Sequence, residues 1–255
     1  MFDFANVLFA GPCNRACPFC IGKALPGALN RPNLKALPLP GLDQLIQVVN
    51  QHQIPEVVFT GTTSDPQLYR YEGELIDLLR TRLHPRARFS IHTNGARVLN
   101  RLEIFNRYDR ACLSIPSFDP EVYEKMMGCR AVPDVAQILR RATIPVKISA
   151  VLTEHNAPGL EAFIEQCHAL GVRRLVLRRL FGDTRRWAVL AGQTPVRVFR
   201  NNPVFDFRGM EVTYWDFHDA TSRSVNLFAD GTLGTDYLLM KTAALVRPTR
   251  GVRAC

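Results

Sequence analysis

The sequence predicts an α/β protein: a partial (βα)6 barrel of the TIM type, followed by a C-terminal extension that contains β-strands. Two observations lead to this prediction. Six short apolar runs alternate with amphipathic segments of helical periodicity, as in parallel strands joined by right-handed crossovers. The polar and cysteine-containing stretches fall just after these runs, at the strand ends where barrels build their sites.

The elements follow one another regularly. The strands are predicted at residues 5–10, 57–59, 89–92, 111–115, 146–152 and 175–177. The helices are predicted from apolar stripes at residues 42–49, 75–83, 98–105, 135–142 and 160–167. Segment 25–40 is rich in Pro, Leu and Asn, which predicts an irregular loop.

The alternation ends near residue 182. We therefore predict a barrel over residues 1–182 and an extension over residues 183–255 that covers the barrel opening. The extension holds two β-like stretches, Met210–Phe217 and Ser224–Phe228, with a turn at Asp230–Gly231. These stretches are expected to form an added hairpin or small sheet.

Composition narrows the class of protein. Lys and Arg total 32 against 23 Asp and Glu, a net charge of +9, which fits an anionic substrate or partner, or simply solubility. No nucleic-acid-binding signature is present, so nucleic acid is a possible partner but not the favoured one. No apolar run reaches the length of a membrane span, and the N-terminus lacks the basic start of a signal peptide. Free thiols favour the cytoplasm.

Segment 11–23, GPCNRACPFCIGK, is the most informative stretch. It contains three cysteines in C-x-x-x-C-x-x-C spacing: Cys13, Cys17 and Cys20. Iron–sulfur cubanes usually take four cysteines, so three would leave one iron open to a small molecule. A zinc knuckle needs a fourth ligand nearby, and the next histidine is His52. A disulfide loop is the other alternative, but it is typical of small secreted domains, and this chain is neither small nor visibly secreted.

The cysteine spacing and the Cys-Pro-Phe-Cys ending resemble the signature of the radical S-adenosylmethionine (radical SAM) superfamily, in the form without a cysteine-rich C-terminal extension. The resemblance covers residues 5–182 and implies a [4Fe-4S] cluster held by the three cysteines. It implies that the open iron binds S-adenosylmethionine, and that reductive cleavage gives a 5′-deoxyadenosyl radical that abstracts hydrogen from a substrate. It also implies an electron donor such as flavodoxin or ferredoxin.

The resemblance places further cofactor contacts. Phe19 would lie against the adenine or shield the cluster. Residues 61–66, GTTSDP, stand where the family has Gly-Gly-Glu-Pro, and only Gly61 and the final proline match. Within this stretch, Thr62 and Thr63, and then Asp65, are predicted to hold the amino group of the cofactor. The alternative is a turn that caps the next helix.

Contacts are also implied on strands three to six. Asn94 follows the third strand in a Thr-Asn-Gly match, although Asn-Gly alone indicates only a turn. Ser114 and Ser149 match polar contacts to the cofactor. Arg178 or Arg179, with Arg178 chosen, would meet the carboxylate of the cofactor or the substrate, and strand alternation allows only one of the two to face inward. The alternative for these strand residues is that their side chains only pack the barrel interior and contact no cofactor.

The other cysteines do not predict a second cluster. Cys112 and Cys167 lie in apolar patterns typical of a core, while Cys129 and Cys255 fall in a loop and at the terminus.

The function predicted from the resemblance is hydrogen abstraction from a small-molecule or peptide biosynthetic substrate. Six arginines favour an anionic group on it: residues 173, 174, 178, 179, 185 and 186. The first alternative is modification of RNA or a nucleotide, from the net charge and from Trp187 beside Arg186. The alternatives from other classes are a non-catalytic [4Fe-4S] electron-transfer protein and a zinc-binding module. No catalytic residue is identified.

Overall fold

Strands and helices alternate through the first three quarters of the chain in the computed structural model, which describes residues 2–235. Six parallel strands form the centre of the sheet: β1 Phe4–Phe9, β2 Glu56–Gly61, β3 Arg88–Thr93, β4 Arg110–Ser114, β5 Val146–Leu152 and β6 Arg174–Arg179. Six helices accompany them: α1 Leu42–Gln51, α2 Glu72–Arg82, α3 Leu102–Phe105, α4 Pro120–Met127, α5 Val135–Arg141 and α6 Leu160–Ala169. The predicted fold, an open partial barrel, is confirmed. No helix among the described residues is long and apolar enough to cross a membrane.

Helix α4 was not predicted from the sequence. Its start was nonetheless marked, because the Asp119 side chain accepts hydrogen bonds from the first-turn amides and Pro120 occupies the first turn. Its end was marked by Gly128, which has the positive φ of a helix C-cap. The helix is too short for its apolar stripe to be clear, and the capping residues were the stronger signal. Segment 25–40, predicted as loop, contains a short 3₁₀ turn, Gly27–Asn30.

The extension joins the barrel sheet on both sides. Its described strands are β7 Arg197–Phe199, β8 Asn202–Phe207, β9 Met210–Trp215, β10 Ser224–Leu227 and β11 Leu233–Gly234. The full order is β11-β10-β1-β2-β3-β4-β5-β6-β9-β8-β7. Strand β9 pairs in parallel with β6, and β10 pairs in parallel with β1.

Of the predicted hairpin or small sheet, a hairpin between Met210–Phe217 and Ser224–Phe228 is not formed, since these stretches lie at opposite edges of one sheet. The predicted turn at Asp230–Gly231 joins β10 to β11, which pair antiparallel. An open barrel leaves unpaired backbone groups at both edges, and pairing there satisfies them. The two-region division at residue 182, and the covering role of the extension, stay predictions.

Alternation along the strands separates two faces of the sheet. On β5, Ile148, Ala150 and Leu152 belong to the main core, together with the apolar stripes of the helices. The intervening side chains, beginning with Lys147 and Ser149, point to the opposite face. Because the helices cover the outer face, this second set faces the barrel interior.

Candidate functional site

The cysteine loop follows β1 directly. Cys13 is exposed, Cys17 and Cys20 are half-buried, and all three are free thiols. Burial, together with the neighbouring Cys20 and Cys13 as like charges, raises the pKa of Cys17 to about 11. The three sulfur atoms are therefore within electrostatic reach of one another.

The loop after β2 is hydrogen-bonded to the cysteine loop. The Thr62 carbonyl oxygen accepts a hydrogen bond from the Cys20 thiol at 3.2 Å. The Thr63 hydroxyl oxygen accepts one from the Gly11 amide at 3.1 Å. Both predicted threonines thus hold the cysteine loop, Thr62 directly at a cysteine.

This junction has room only for glycine at positions 61 and 22. It also includes Ser64, which was not among the predicted site residues. A Cβ on Gly61 would lie 1.6 Å from the Ser64 carbonyl oxygen, and a Cβ on Gly22 would lie 2.3 Å from the Thr62 carbonyl oxygen. The Ser64 hydroxyl donates to the Pro12 carbonyl at 2.8 Å. The Thr/Ser composition of the loop was the only sequence signal for Ser64.

Asp65 links the loops that follow β2 and β3. Its buried carboxylate accepts hydrogen bonds from the Gln67 amide at 2.9 Å, the Thr93 hydroxyl at 2.9 Å and the Asn94 amide at 2.7 Å. Burial raises the pKa of Asp65, although these hydrogen bonds lower it. The bond to Gln67 caps the 3₁₀ turn Pro66–Leu68, whereas helix α2 begins after Tyr71 without a side-chain cap. The carboxylate positions Asn94, and its contact with the cofactor stays a prediction.

Asn94 extends the junction to the third strand end. Its side-chain amide donates to the Asn14 side chain at 2.8 Å and lies 4.0 Å from the Cys13 sulfur. Ser114 and Ser149 are opposite each other on β4 and β5, on the interior face. The structure thus brings Asn94 to the cysteine loop and places the two serines together inside the barrel.

Helix α4 supports the cysteine loop from the other side. The Met127 carbonyl oxygen accepts from the Ala16 amide at 2.9 Å, and the Met127 sulfur lies 3.6 Å from the Cys17 sulfur. Phe19 and Cys17 pack against the apolar cluster of Tyr123 and its neighbours on the helix. Phe19 thus shields the cysteine loop, and its predicted contact with adenine is untested by this geometry.

Replacing Gly128 by alanine is expected to lower the free energy of unfolding by about 2–3 kcal/mol. Gly128 has a φ of +68°, and an added Cβ would lie 2.7 Å from the Ala16 Cβ. Gly171→Ala is the matched control, since Gly171 has a φ of +78° with nothing within 4 Å. We expect the control to lose only about 1 kcal/mol in urea denaturation. Equal losses in the two variants would contradict a tight contact between the helix end and the cysteine loop.

A buried polar network lies behind the loop after β2. The fully buried Glu72 carboxylate accepts from the Tyr108 hydroxyl at 2.9 Å and pairs with Arg101 at 3.1 Å. Arg101 also donates to the carbonyl oxygens of Gln67 at 3.0 Å and Tyr69 at 3.4 Å. The network therefore anchors the turn that Asp65 begins.

Glu72 should make stability depend on pH. Burial raises its pKa from 4.5 to about 7, against the opposing effects of Arg101 and Tyr108. Between these pH values the folded chain holds the proton and the unfolded chain does not, so this contribution to stability is full below pH 4.5 and is lost as the pH rises to about 7. Glu72→Gln removes it. We expect the unfolding free energy of the variant to rise relative to wild type by about 1–3 kcal/mol between pH ~5 and ~8.

Urea denaturation at several pH values measures this difference, with Glu161→Gln as the same change at an exposed helical position. A difference between Glu72→Gln and wild type that stays constant with pH would show that burial does not raise the pKa of Glu72.

The structure distinguishes Arg178 from Arg179. Arg178 lies on the interior face of β6 with Val176, and its guanidinium lies 5.9 Å from the Phe217 ring centroid. Arg179 has the opposite orientation and forms an ion pair with Asp216. Of the two arginines, Arg178 therefore faces the barrel interior, and its contact with a carboxylate stays a prediction.

Most of the arginine cluster is neutralised by carboxylates. The ion pairs are Arg174–Glu211, Arg179–Asp216, Arg185–Glu154, Arg185–Asp183 and Arg186–Asp219. Trp187 is half-buried against the main core, with the Arg185 guanidinium 5.1 Å from its ring centroid. Its ring is therefore not a free stacking surface for a base. Cys112 and Cys167 are buried as predicted, and Cys255 lies outside the described residues.

The three cysteine thiols of this loop fit a cubane cluster better than a single metal ion. Among residues 2–235, no three His, Cys, Asp or Glu side chains converge on a point that one metal ion could occupy. In a cubane each cysteine binds a different iron, so its ligands need not converge. Three free thiols on one loop, shielded on one side by the apolar face of α4, meet that requirement.

Comparison with solved structures finds proteins that share the fold of this chain. Streptococcus suis SuiB bound to precursor peptide SuiA matches with 17% identity and a TM-score of 0.54, over 70% of this chain and 40% of that chain. The enzyme anSMEcpe with bound AdoMet and Kp18Cys peptide matches with 15% identity and a TM-score of 0.52, over 69% of this chain and 51% of that chain. At these identities the likeness shows a shared fold, and this chain spans less than two thirds of either protein. No curated protein matches the chain significantly.

The family of the chain is shown by its match to a family sequence profile. The profile of the Radical SAM superfamily matches residues 7–167, more than half of the chain, and confirms the resemblance drawn from the cysteine spacing. The cofactors of this superfamily are a [4Fe-4S] cluster and S-adenosylmethionine, as predicted. The chain belongs to the radical SAM superfamily.

Proposed function

We propose that this chain is a radical SAM enzyme that abstracts a hydrogen atom from a peptide or small-molecule substrate. The observation that carries the proposal is the hydrogen-bonded junction of three strand-end loops, in which Thr62 and Asn94 both approach cysteines of the motif. When bound, the cluster and S-adenosylmethionine supply the radical, and the protein orients the target C–H bond and excludes competing reactions.

Each part of the junction has a proposed role. The cluster ligands are Cys13, Cys17 and Cys20, and Phe19 shields them. The residues proposed to hold S-adenosylmethionine are Gly61, Thr62, Thr63, Asp65, Asn94, Ser114 and Ser149. Asp65 acts mainly by holding the Asn94 amide.

Two features support a peptide or a small molecule as the substrate. SuiB and anSMEcpe, which share the fold, were both crystallised with peptides. The sheet is open, and its interior face carries polar and cationic side chains. RNA or a nucleotide is less favoured, since Trp187 packs against the core and Arg186 lies 3.7 Å from Asp219. A steep fall in RNA binding with salt would mark a polyanion partner.

We also propose a protein that donates the electron and a cellular compartment in which the chain works. Reduction of the cluster needs a low-potential partner, for which we propose a flavodoxin or a ferredoxin. The free thiols of the motif favour a reducing compartment such as the cytoplasm.

Anaerobic reconstitution with iron and sulfide tests the function. We expect a brown chromophore, and 5′-deoxyadenosine and methionine on addition of dithionite and S-adenosylmethionine. A cluster that forms without yielding 5′-deoxyadenosine would favour a non-catalytic electron-transfer protein. A fully stable protein that binds zinc and forms no cluster would favour the zinc module.

A further inference from the structure

The barrel interior contains cationic side chains that no carboxylate of the described residues neutralises. Lys147 on β5 alternates with the core residue Ile148, and Arg178 on β6 alternates with the core residue Leu177, so both side chains face inward. His92 on β3 alternates with the core residue Ile91 and therefore faces inward as well. The three are half-buried and lie on one continuous face of the sheet.

The carboxylates that the described strands place on the same face are already paired. Glu56, at the start of β2, forms an ion pair with Arg110, and Glu211, at the lower end of β9, pairs with Arg174 and Arg197. These pairs neutralise the carboxylates that could have served as partners for the other cations of the interior.

Lys147 and Arg178 have no such partner. Among residues 2–235, neither side chain forms an ion pair or a hydrogen bond, and the Arg178 Nε atom is buried without an acceptor. The contact recorded for the Arg178 guanidinium is the Phe217 ring. Buried charges are normally paired, so two unpaired cations on one face of the sheet point to an anion that the described residues do not supply.

The electrostatics of the face agree with this reasoning. Burial lowers the pKa of Lys147, and Arg178 and Arg174 lower it further, while Cys112 and Glu56 oppose them. Burial also lowers the pKa of His92 well below its usual value, with Lys147, Arg178 and Arg110 adding to the effect. An anion bound here would relieve the repulsion among these groups and would stabilise the charged form of Lys147.

We propose that Lys147 and Arg178 bind a carboxylate or phosphate group of the substrate inside the barrel. This assignment deepens the proposed function and rests on it for the identity of the ligand as substrate. Arg178 is opposite Val151, four residues beyond Lys147 along β5, which separates the two cations by about 14 Å at the backbone. Their long side chains can approach an oxyanion from either side.

Lys147 lies at the opposite end of its strand from the loops proposed to hold the cofactor, so the anion site differs from the cofactor site. The proposed cofactor contacts lie mainly on loops at the C-terminal ends of the strands, where the cysteine loop is also found. Lys147 is the second residue of β5, close to the other end of the strand. A group that reaches it extends deeper into the barrel than the loop junction does.

Anion binding can be measured without knowing the substrate. We would titrate the full chain with inorganic phosphate and, separately, with acetate, following the lysine side-chain resonances by NMR, with Lys147 assigned from the Lys147→Met spectrum. We expect one of the two anions to shift the Lys147 resonance and raise its pKa. Lys147→Met and Arg178→Met should each weaken anion binding about tenfold, Lys147→Arg should retain it, and the exposed control Arg173→Gln should not change it.

Several outcomes would overturn the assignment. Anion affinity that is equal in wild type, Lys147→Met and Arg178→Met would show that there is no such site. A matching loss of S-adenosylmethionine affinity in both variants would assign the cations to the cofactor. Loss of cofactor affinity in Arg178→Met alone, with anion binding intact, would return Arg178 to its predicted cofactor role. Failure of cluster reconstitution with anion binding retained would count against the proposed function and leave the anion site standing.

Discussion

A variant with Cys13, Cys17 and Cys20 all replaced by alanine is expected to fold, to bind no iron–sulfur cluster and to form no 5′-deoxyadenosine above background. The three thiols lie on one loop, exposed or half-buried, so their removal leaves little cavity in the main core. They are also the proposed iron ligands on this loop, and without thiolates a cubane has no attachment. The effect on activity should therefore be complete while the effect on stability is small.

Iron and sulfide content after reconstitution, visible absorption and 5′-deoxyadenosine yield measure this effect. Cys129→Ala is the matched control, because Cys129 is a half-buried cysteine outside the motif. We expect the control to bind a full cluster. A triple variant that keeps a cluster, or a control that loses it, would show that the cysteine spacing does not identify the ligands.

Replacing Asp65 by alanine is expected to lower the free energy of unfolding by about 3 kcal/mol and to weaken S-adenosylmethionine binding strongly. The change removes the acceptor of three buried donors: the Gln67 and Asn94 amides and the Thr93 hydroxyl. Buried donors left without an acceptor each cost about 1–3 kcal/mol, although local rearrangement recovers part of that cost. Asn94 would also lose its position beside the cysteine loop.

Asp119→Ala provides the comparison, since Asp119 accepts two backbone amides at the start of α4 in an exposed setting. An exposed N-cap of this kind contributes about 1 kcal/mol. Urea denaturation and calorimetric titration with S-adenosylmethionine of the reconstituted proteins measure both effects. If Asp65→Ala and Asp119→Ala lose equal stability and bind the cofactor alike, Asp65 is a simple cap and does not organise the site.

The central strands and the larger helices could be predicted because their signals are local. Strand runs of three to seven residues, such as Val146–Leu152, are buried on at least one face, and the helices between them repeat their apolar residues at helical spacing. Helix α4 lacked a clear signal of that kind. Its role became visible only when Met127 was seen beside Cys17, across 110 positions of sequence.

The strands of the extension show the limit of local signals. Their composition correctly indicated β-structure, but a strand carries no mark of its partner. Strand β9 lies against β6 and β10 lies against β1, because the open sheet offered two unsatisfied edges. Pairing partners are decided by which backbone groups remain free after the barrel has formed.

For the site, the sequence by itself determined the residues whose chemistry depends on spacing. Cys13, Cys17 and Cys20 identified the superfamily, and the match over residues 7–167 confirmed it. The tertiary structure alone decided which polar side chains meet: Ser64 with Pro12, Asn14 with Asn94, and Arg178 rather than Arg179 in the interior. Neighbouring thiols are held near one another by a short loop, whereas contacts between strand ends depend on sheet order and register, which folding of the whole chain establishes.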